Sequence, residues 1–168
     1  EKNIGMAIEA MAELMRKEER GKRKVLLLIV GDGPEREALQ ESIVNCQLSN
    51  VVIEPWTDDL FSYYKTADLF LLTSNYEGYG RTVVEAMAVG LPVIMTDGGL
   101  AGELLIDDLD GKVVPVGDEN ALAVAIAELE KDPAKREEFR HNSLKLLEKW
   151  PTKSEYLEKF RNLLMMLK

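Results

Sequence analysis

Short apolar runs and helical patterns alternate along this chain, and that alternation limits the folds it can adopt. Each run is too short and too apolar to be anything but a buried strand or part of a helix, and glycine or proline bounds most of them. The expected strands are 25–30, 51–53, 69–72, 92–95 and 111–115. Continuous apolar strands joined by helices are typical of a parallel sheet. The chain is therefore predicted to be an α/β protein with helices on both faces of a parallel β-sheet.

The helical spacing of apolar residues predicts helices between and after these strands. The expected helices are 4–19, 34–46, 60–65, 81–89, 100–106, 119–131, 133–148 and 154–167. The strand at 25–30 has only apolar residues and is expected to be covered on both faces. Ligands bind at the carboxyl ends of the strands in such sheets. The glycine turns at 31–33, 78–80 and 97–99 follow strands, so they should lie along one edge, which is the predicted site.

Length and composition exclude several classes of protein. A chain of 168 residues fits a single domain over 1–168, with a terminal helix over 152–168. The net charge of −9 argues against a nucleic-acid partner, which would need a basic face. The single cysteine allows no disulfide within the chain and fits the cytoplasm. No apolar run approaches the roughly 20 residues of a transmembrane segment. The start at Glu1, within a helix-start pattern, indicates a piece of a longer protein.

The segment at 75–90 carries the chemistry. Two carboxylates, Glu77 and Glu85, are separated by seven residues, and a glycine turn between them opens a helix. A helix start offers free backbone N–H groups and the positive end of the helix dipole, which favour phosphate. The acids on either side repel phosphate and are better suited to accept hydrogen bonds from hydroxyls. Phosphate flanked by hydroxyl groups describes a nucleotide-sugar.

The position of Glu85 within the helix supports this interpretation. If the helix starts near Arg81, Glu85 lies one turn later on the same face, about 6 Å along the axis. A ribose attached to a phosphate at the helix start would then lie beside Glu85. The alternative is that both acids are simply solvated near a helix start, where negative charge is favourable by about 0.3–1 kcal/mol. That alternative suits Glu77 better than Glu85, whose neighbours are apolar and which therefore needs a polar partner.

The glycine turn at 31–33 differs from a dinucleotide-binding fingerprint. That fingerprint requires a third glycine where the helix packs closely on the strand, and Arg36 stands at that place. A nicotinamide cofactor is therefore not expected. The turn either serves only to start the next helix or also borders the ligand.

The segment containing Glu77 and Glu85 resembles the signature of two glutamates, seven residues apart, in retaining GT-B glycosyltransferases of the family-4, or group 1, type. Further segments resemble the same family in the same order: 30–36, 67–74, 85–97, 102–103 and 111–118. The resemblance covers about residues 1–140. It implies a Rossmann-like domain that forms the C-terminal, donor-binding half of a two-domain enzyme. The amino-terminal acceptor domain would then be a missing partner.

The resemblance also implies roles for individual residues. Glu85 would bind the ribose, Glu77 would contact the transferred sugar, and Lys2 would neutralise the diphosphate. Glu77 and Lys2 are thus the expected catalytic residues. The backbone of residues 79–82 would cradle the diphosphate, and the base would lie against main chain near Trp56, Thr57 and the turn of Gly31. The expected substrate-binding residues are Gly31, Trp56, Thr57, Glu77, Gly78, Tyr79, Gly80, Arg81, Thr82 and Glu85.

Some positions depart from the family pattern. A glycine usually stands where Pro55 or Trp56 is found, which affects the expected contacts to the base. Arg81 takes a place that is more often apolar, and it is either an additional cation for phosphate or a solvated side chain. The family's fold does not rely on a metal-binding acidic motif, so neither a metal nor a cofactor is expected. The acidic pairs at 58–59 and 107–108 are interpreted as turns and caps.

The expected reaction moves a sugar from a nucleoside diphosphate sugar to an acceptor hydroxyl with its anomeric configuration kept, as in a hexosyltransferase. Polysaccharide or glycolipid biosynthesis at the cytoplasmic face of a membrane would supply such acceptors. The chain alone is expected to bind donors and to transfer little. The alternative is a non-catalytic α/β module that binds another phosphorylated ligand or a protein.

Overall fold

Helices and strands alternate along the part of the chain that the computed structural model describes, residues 2–17 and 25–166. In chain order the elements are α1 (Ile4–Arg16), β1 (Leu27–Val30), α2 (Arg36–Asn45), β2 (Val51–Glu54), α3 (Leu60–Thr66), β3 (Phe70–Leu72), α4 (Arg81–Ala88), β4 (Val93–Thr96), β5 (Lys112–Val114), α5 (Glu119–Lys131), α6 (Pro133–Leu147) and α7 (Lys153–Met166). The ends of two predicted helices, at 18–19 and at 167, lie outside the described residues.

All recorded strand pairs are parallel, which confirms the predicted α/β class. β1 pairs with β2, so that Leu27 lies beside Val51. β4 lies between β3 and β5 in a second group of strands. The five strands therefore form two parallel groups within the described residues, where the sequence predicted one sheet.

The group β3–β4–β5 has an apolar core on each face. Ile94 of β4 belongs to one core, which it shares with residues of α1 and α5. Its neighbours Val93 and Met95 belong to a second core, which contains residues of α3 and α4. Because side chains alternate between the two faces of a strand, β4 has helices on both sides. The prediction of helices on both faces is confirmed for these strands.

The first strand pair is covered on one face only. Leu27 and Ile29 pack against the core that contains α1 and α5. Leu26 and Leu28 lie on the opposite face and are 57% and 42% exposed, and Val52 of β2 is also 42% exposed. The prediction that 25–30 is covered on both faces is wrong for the described structure. An apolar run alone does not show which of its faces a helix will cover.

Residues 100–106 do not form the predicted helix. Gly99 and Gly102 have φ values of +57° and +77°, in the left-handed region that an α-helix excludes. The N–H of Gly102 donates to the carbonyl of Leu105, three residues later in the chain, and this hydrogen bond closes a turn. The apolar spacing at Leu100, Leu104 and Leu105 is real because all are buried. This spacing comes from a turn that packs on the core, and the positive φ values of the two glycines determine its backbone conformation.

We expect Gly111→Ala to destabilise the fold, because a Cβ at Gly111 would lie 2.7 Å from Leu105 Cδ1 and 2.8 Å from the Val93 carbonyl oxygen. Overpacking of this kind costs about 1–3 kcal/mol of unfolding free energy. Urea denaturation measures the change. Gly33→Ala is the matched control, since a Cβ at Gly33 meets no described atom within 4 Å. Equal stability of the two variants would contradict the close packing at Gly111.

Candidate functional site

The loop between β3 and α4 is fixed to the neighbouring strand and to the start of the chain. The hydroxyl of Thr96, at the end of β4, donates to the Ser74 carbonyl at 2.6 Å. The hydroxyl of Thr73 donates to the Lys2 carbonyl at 3.1 Å. Thr73, Ser74 and Thr96 are all buried, so these hydrogen bonds are shielded from water. The loop that carries Glu77 is therefore held in one position.

Glu77 and Lys2, the two expected catalytic residues, are in direct contact. Lys2 Nζ lies 2.8 Å from Glu77 Oε2, and the Ser74 hydroxyl donates to the same oxygen at 3.3 Å. The hydrogen bond from Lys2 lowers the pKa of Glu77, helped by the charge of Lys2 and by hydrogen bonds from Ser74 and the Gly80 N–H, while burial opposes the shift. Glu77 is thus an ionised hydrogen-bond acceptor at neutral pH.

The turn after β4 lies against Glu77. A Cβ built on Gly99 would be 3.1 Å from Glu77 Cβ and 3.2 Å from its carbonyl oxygen. Gly99 also has the positive φ that favours glycine. The turns at 97–99 and 78–80 therefore meet at one edge, which confirms the prediction for these two of the three glycine turns.

The amino end of α4 is formed by a glycine turn with exposed neighbours. Gly80 is the buried N-cap residue, with φ 75° and ψ 49°, and its N–H donates to the Glu77 carboxylate. Gly78 and Tyr79 are exposed, and the Arg81 side chain is 85% exposed. The first N–H groups of a helix, which have no partner within the helix, are suited to bind phosphate or another anion. The expected diphosphate cradle, which ends at Thr82, is thus a continuous turn at the start of a helix.

Glu85 has partners that satisfy both of its carboxylate oxygens. Arg81 Nε donates to Oε1 at 2.9 Å, and the Tyr64 hydroxyl donates to Oε2 at 3.2 Å. The Glu85 side chain is 35% exposed, so it is partly covered but reachable. The sequence predicted that Glu85 needs a polar partner, but it did not identify Tyr64. Tyr64 lies on another helix, 21 residues earlier, and no local spacing relates the two.

The structure adds a third interpretation for Arg81. The sequence left open whether Arg81 is a phosphate cation or a solvated side chain, and the structure pairs it with Glu85 one helical turn away. Exposed pairs of this type stabilise a helix by only about 0.3–0.5 kcal/mol. A stronger anion at the helix start would therefore compete easily for the Arg81 guanidinium.

The expected base-side residues lie on two linked turns. The Gly31 N–H donates to the Glu54 carbonyl at 3.0 Å, and the Trp56 N–H donates to Asp32 Oδ2 at 3.0 Å. The Trp56 side chain is 64% exposed. The hydroxyl of Thr57 accepts from a backbone N–H two residues later, which stabilises the turn. Gly31, Trp56 and Thr57 are therefore brought together at the carboxyl ends of β1 and β2.

Arg36 connects these two turns from within. Its guanidinium donates to the carbonyls of Gly31 and Ile53 at 3.2 and 3.3 Å, and to Asp32 Oδ1 at 3.0 Å. Arg36 thus donates hydrogen bonds to carbonyl groups at the ends of two strands. In the sequence its only role was to argue against a dinucleotide-binding fingerprint. No sequence pattern indicates this role of Arg36, because its acceptors come from separate strands.

The acidic pairs noted in the sequence have structural partners. Asp59 Oδ1 accepts from the Ser62 N–H at 3.1 Å and caps α3. Asp108 pairs with Lys112 at 3.1 Å. Within 2–17 and 25–166, no group of three or more His, Cys, Asp or Glu side chains is placed to hold a metal ion. None of the helices in those ranges combines the length and apolar character needed to cross a bilayer.

Comparisons with known proteins place this chain in a family. The family model described as "Glycosyl transferases group 1" matches residues 1–146. The capsular polysaccharide biosynthesis glycosyltransferase CapM of Staphylococcus aureus is 32% identical over 126 residues, which are 74% of this chain and 33% of CapM. The poly(glycerol-phosphate) alpha-glucosyltransferase of Bacillus subtilis is 30% identical over 159 residues, which are 94% of this chain and 23% of that protein.

A solved structure agrees with these relatives. A variant of S. aureus TarM, crystallised with fondaparinux, alpha-GlcNAc-glycerol and UDP, matches with a TM-score of 0.86 and 27% identity. The match covers 96% of this chain and 32% of that one. The chain thus spans about a quarter to a third of the length of these three proteins.

We expect Lys2→Met to raise the pKa of Glu77 towards its ordinary value, because the hydrogen bond from Lys2 is the largest cause of the lowering. Carbon-13 NMR of the Glu77 carboxyl group, followed between about pH 2 and pH 7, measures the shift. Lys65→Met is the control, since the Lys65 ammonium lies over the Phe61 ring and not beside Glu77. An unchanged Glu77 titration in Lys2→Met would contradict the ion pair.

Proposed function

This chain belongs to the glycosyl transferases group 1 family, and from that premise we propose that it binds the sugar donor of a retaining glycosyltransferase. The donor is a nucleoside diphosphate sugar, whose sugar passes to an acceptor hydroxyl with the anomeric configuration kept. One observation carries the proposal. The start of α4, at the Gly80 turn, lies between two oriented carboxylates, Glu77 and Glu85.

The diphosphate binds at the start of α4 in this proposal. The backbone N–H groups of Tyr79, Arg81 and Thr82 bind it there, while the Gly80 N–H stays on Glu77, and the helix dipole adds to their effect. The Arg81 guanidinium leaves its surface ion pair with Glu85 and binds the diphosphate. The ammonium of Lys2, which pairs with Glu77, supplies a second cation. When the bond to the sugar breaks, negative charge grows on the leaving diphosphate. Fixed donors and cations stabilise that charge without having to reorganise.

The two carboxylates bind hydroxyl groups on either side of the diphosphate. Glu85 accepts from the ribose, and a hydrogen bond to a charged acceptor is worth about 1.5–3 kcal/mol. Glu77, which its partners keep ionised, accepts from the transferred sugar. The base lies along the turns of Gly31 and Trp56, whose backbones are linked through Asp32 and Glu54. Neither a metal nor an organic cofactor takes part in this proposal.

The relatives suggest the setting of the whole protein. UDP in the TarM complex makes UDP the first carrier to test. The names of CapM and of the Bacillus enzyme concern capsular polysaccharide and poly(glycerol-phosphate), which fits a cytoplasmic enzyme with an acceptor at the membrane surface. We place the acceptor site in an amino-terminal domain, with residues 1–168 as the donor-binding domain and 152–168 as its terminal helix. The chain alone is then a donor-binding unit that does not transfer sugar.

We expect Glu85→Ala to weaken the binding of UDP, GDP or ADP, whichever binds to the chain, by about 1–3 kcal/mol, which is about 5- to 150-fold in Kd. The loss follows from removing the acceptor for the ribose hydroxyls. Isothermal titration calorimetry measures it. Glu41→Ala on α2 is the control, because Glu41 is an exposed glutamate outside the proposed site. A chain that binds no nucleoside diphosphate would support the alternative of a non-catalytic module.

We expect Glu77→Ala to weaken the binding of the sugar part of the donor and to leave the binding of its nucleotide part nearly unchanged. The variant should bind UDP within about twofold of the wild type and bind UDP-sugars about tenfold or more weakly, because the sugar hydroxyls are the only groups of the donor that Glu77 binds in this proposal. Calorimetry with UDP and with a panel of UDP-sugars measures both affinities. If UDP itself is weakened as strongly as the sugars, Glu77 does not act through the sugar.

A further inference from the structure

Two adjacent tyrosines of α3 hold carboxylates that belong to different parts of the proposed site. The Tyr63 hydroxyl donates to Glu54, at the end of β2 and next to the base-side turn. The Tyr64 hydroxyl donates to Glu85 Oε2 on α4 at 3.2 Å. The helix α3 therefore connects the base-side turns to the expected ribose-binding residue.

Tyr64 is a rigid partner for Glu85. The Tyr64 residue is 9% exposed and belongs to the core that contains β3 and α4. Its ring meets Phe70 edge-on, with centroids 5.7 Å apart and an angle of 80° between the planes. The start of α3 is in turn fixed by Asp59, which accepts from both the N–H and the hydroxyl of Ser62. The hydroxyl of Tyr64 consequently has one position, set by packing.

The two partners of Glu85 differ in how easily they can be replaced. Arg81 is 85% exposed, and its guanidinium can turn to an anion at the start of α4. The Tyr64 side chain is buried and cannot turn in this way. Burial and the charge of Glu85 raise the pKa of Tyr64 to about 12, so its hydroxyl remains a donor at neutral pH. Glu85 therefore keeps one fixed hydrogen bond when the other is exchanged.

We propose that Tyr64 is a positioning residue that orients the Glu85 carboxylate toward the two ribose hydroxyls. An ionised carboxylate offers about four lone-pair sites on its two oxygens. Tyr64 uses one of them on Oε2, which leaves Oε1 and the rest of Oε2 for two adjacent hydroxyls after Arg81 has moved. Without Tyr64, the flexible glutamate side chain would have to be ordered by the ligand itself. This inference rests on the proposed function and adds a residue to its ribose subsite.

The test compares UDP with 2′,3′-dideoxy-UDP, which keeps the base and the diphosphate and lacks both ribose hydroxyls. Calorimetry gives the ratio of the two Kd values as a measure of ribose recognition. We expect a ratio of about ten or more for the wild type, and at least a threefold smaller ratio for Tyr64→Phe, with unchanged affinity for the dideoxy analogue. Only recognition of the hydroxyls changes this ratio, since a general loss of structure weakens both ligands alike.

Tyr63→Phe is the matched control. It removes a tyrosine hydroxyl from the same helix and from a carboxylate, but that carboxylate is Glu54 and not Glu85. Any effect on the base-side turn acts on both ligands, so the ratio should stay at the wild-type value. In the background of Glu85→Ala the ratio should be near one, and adding Tyr64→Phe should not change it. A further decrease there would show that Tyr64 acts by a route other than Glu85.

A crystal structure of the wild-type chain with UDP provides a second measurement that requires no variant. It should show the Tyr64 hydroxyl still within hydrogen-bond distance of Glu85. A wild-type ratio in Tyr64→Phe, or a complex in which the hydroxyl has left Glu85, would overturn the inference and leave the proposed function intact. Two other outcomes would overturn the role of Glu85 and this inference together. In one, the chain binds none of UDP, GDP and ADP; in the other, it binds UDP and its dideoxy analogue with equal affinity.

Discussion

The candidate site depends on β4, whose four residues are all buried between two apolar cores. Burial fixes the strand, and its last residue, Thr96, passes that rigidity to the next loop through its hydrogen bond to the Ser74 carbonyl. Glu77 follows three residues later and is held by Ser74 and Lys2. A site that must place charges within a fraction of an ångström needs such support from the core. Here the buried strand holds a buried hydroxyl, which in turn holds the partly buried carboxylate of Glu77.

The two carboxylates of the site follow the same design. Each accepts from one exposed cation and from the hydroxyl of one buried residue: Lys2 and Ser74 for Glu77, and Arg81 and Tyr64 for Glu85. Glu77 also accepts from the Gly80 N–H. The hydroxyl sets the direction of the carboxylate, while the cation balances its charge at little cost in stability. A polyanionic ligand can attract the cations without disturbing the hydroxyls. The same arrangement thus serves the empty chain and the chain with its proposed donor.

The sequence predicted the order of elements well because strand and helix periods are local properties. It failed at residues 100–106, where positive φ values at Gly99 and Gly102 override a helical spacing. It also could not show that Leu28 would be exposed, since coverage depends on distant elements. The family resemblance supplied the expected site residues, whose roles stay predictions. The contacts of Tyr64 and Arg36 were beyond reach, because each joins groups from separate helices or strands.

The bare face of the first strand pair affects how this chain behaves in concentrated solution. Leu28 of β1, Val52 of β2 and Leu26, which precedes β1, expose apolar surface of the kind that promotes association between copies. The net charge of −9 opposes that association through mutual repulsion. Added salt screens the repulsion and leaves the apolar attraction in place. Ionic strength therefore affects the balance between single molecules and clusters, and low ionic strength favours single molecules.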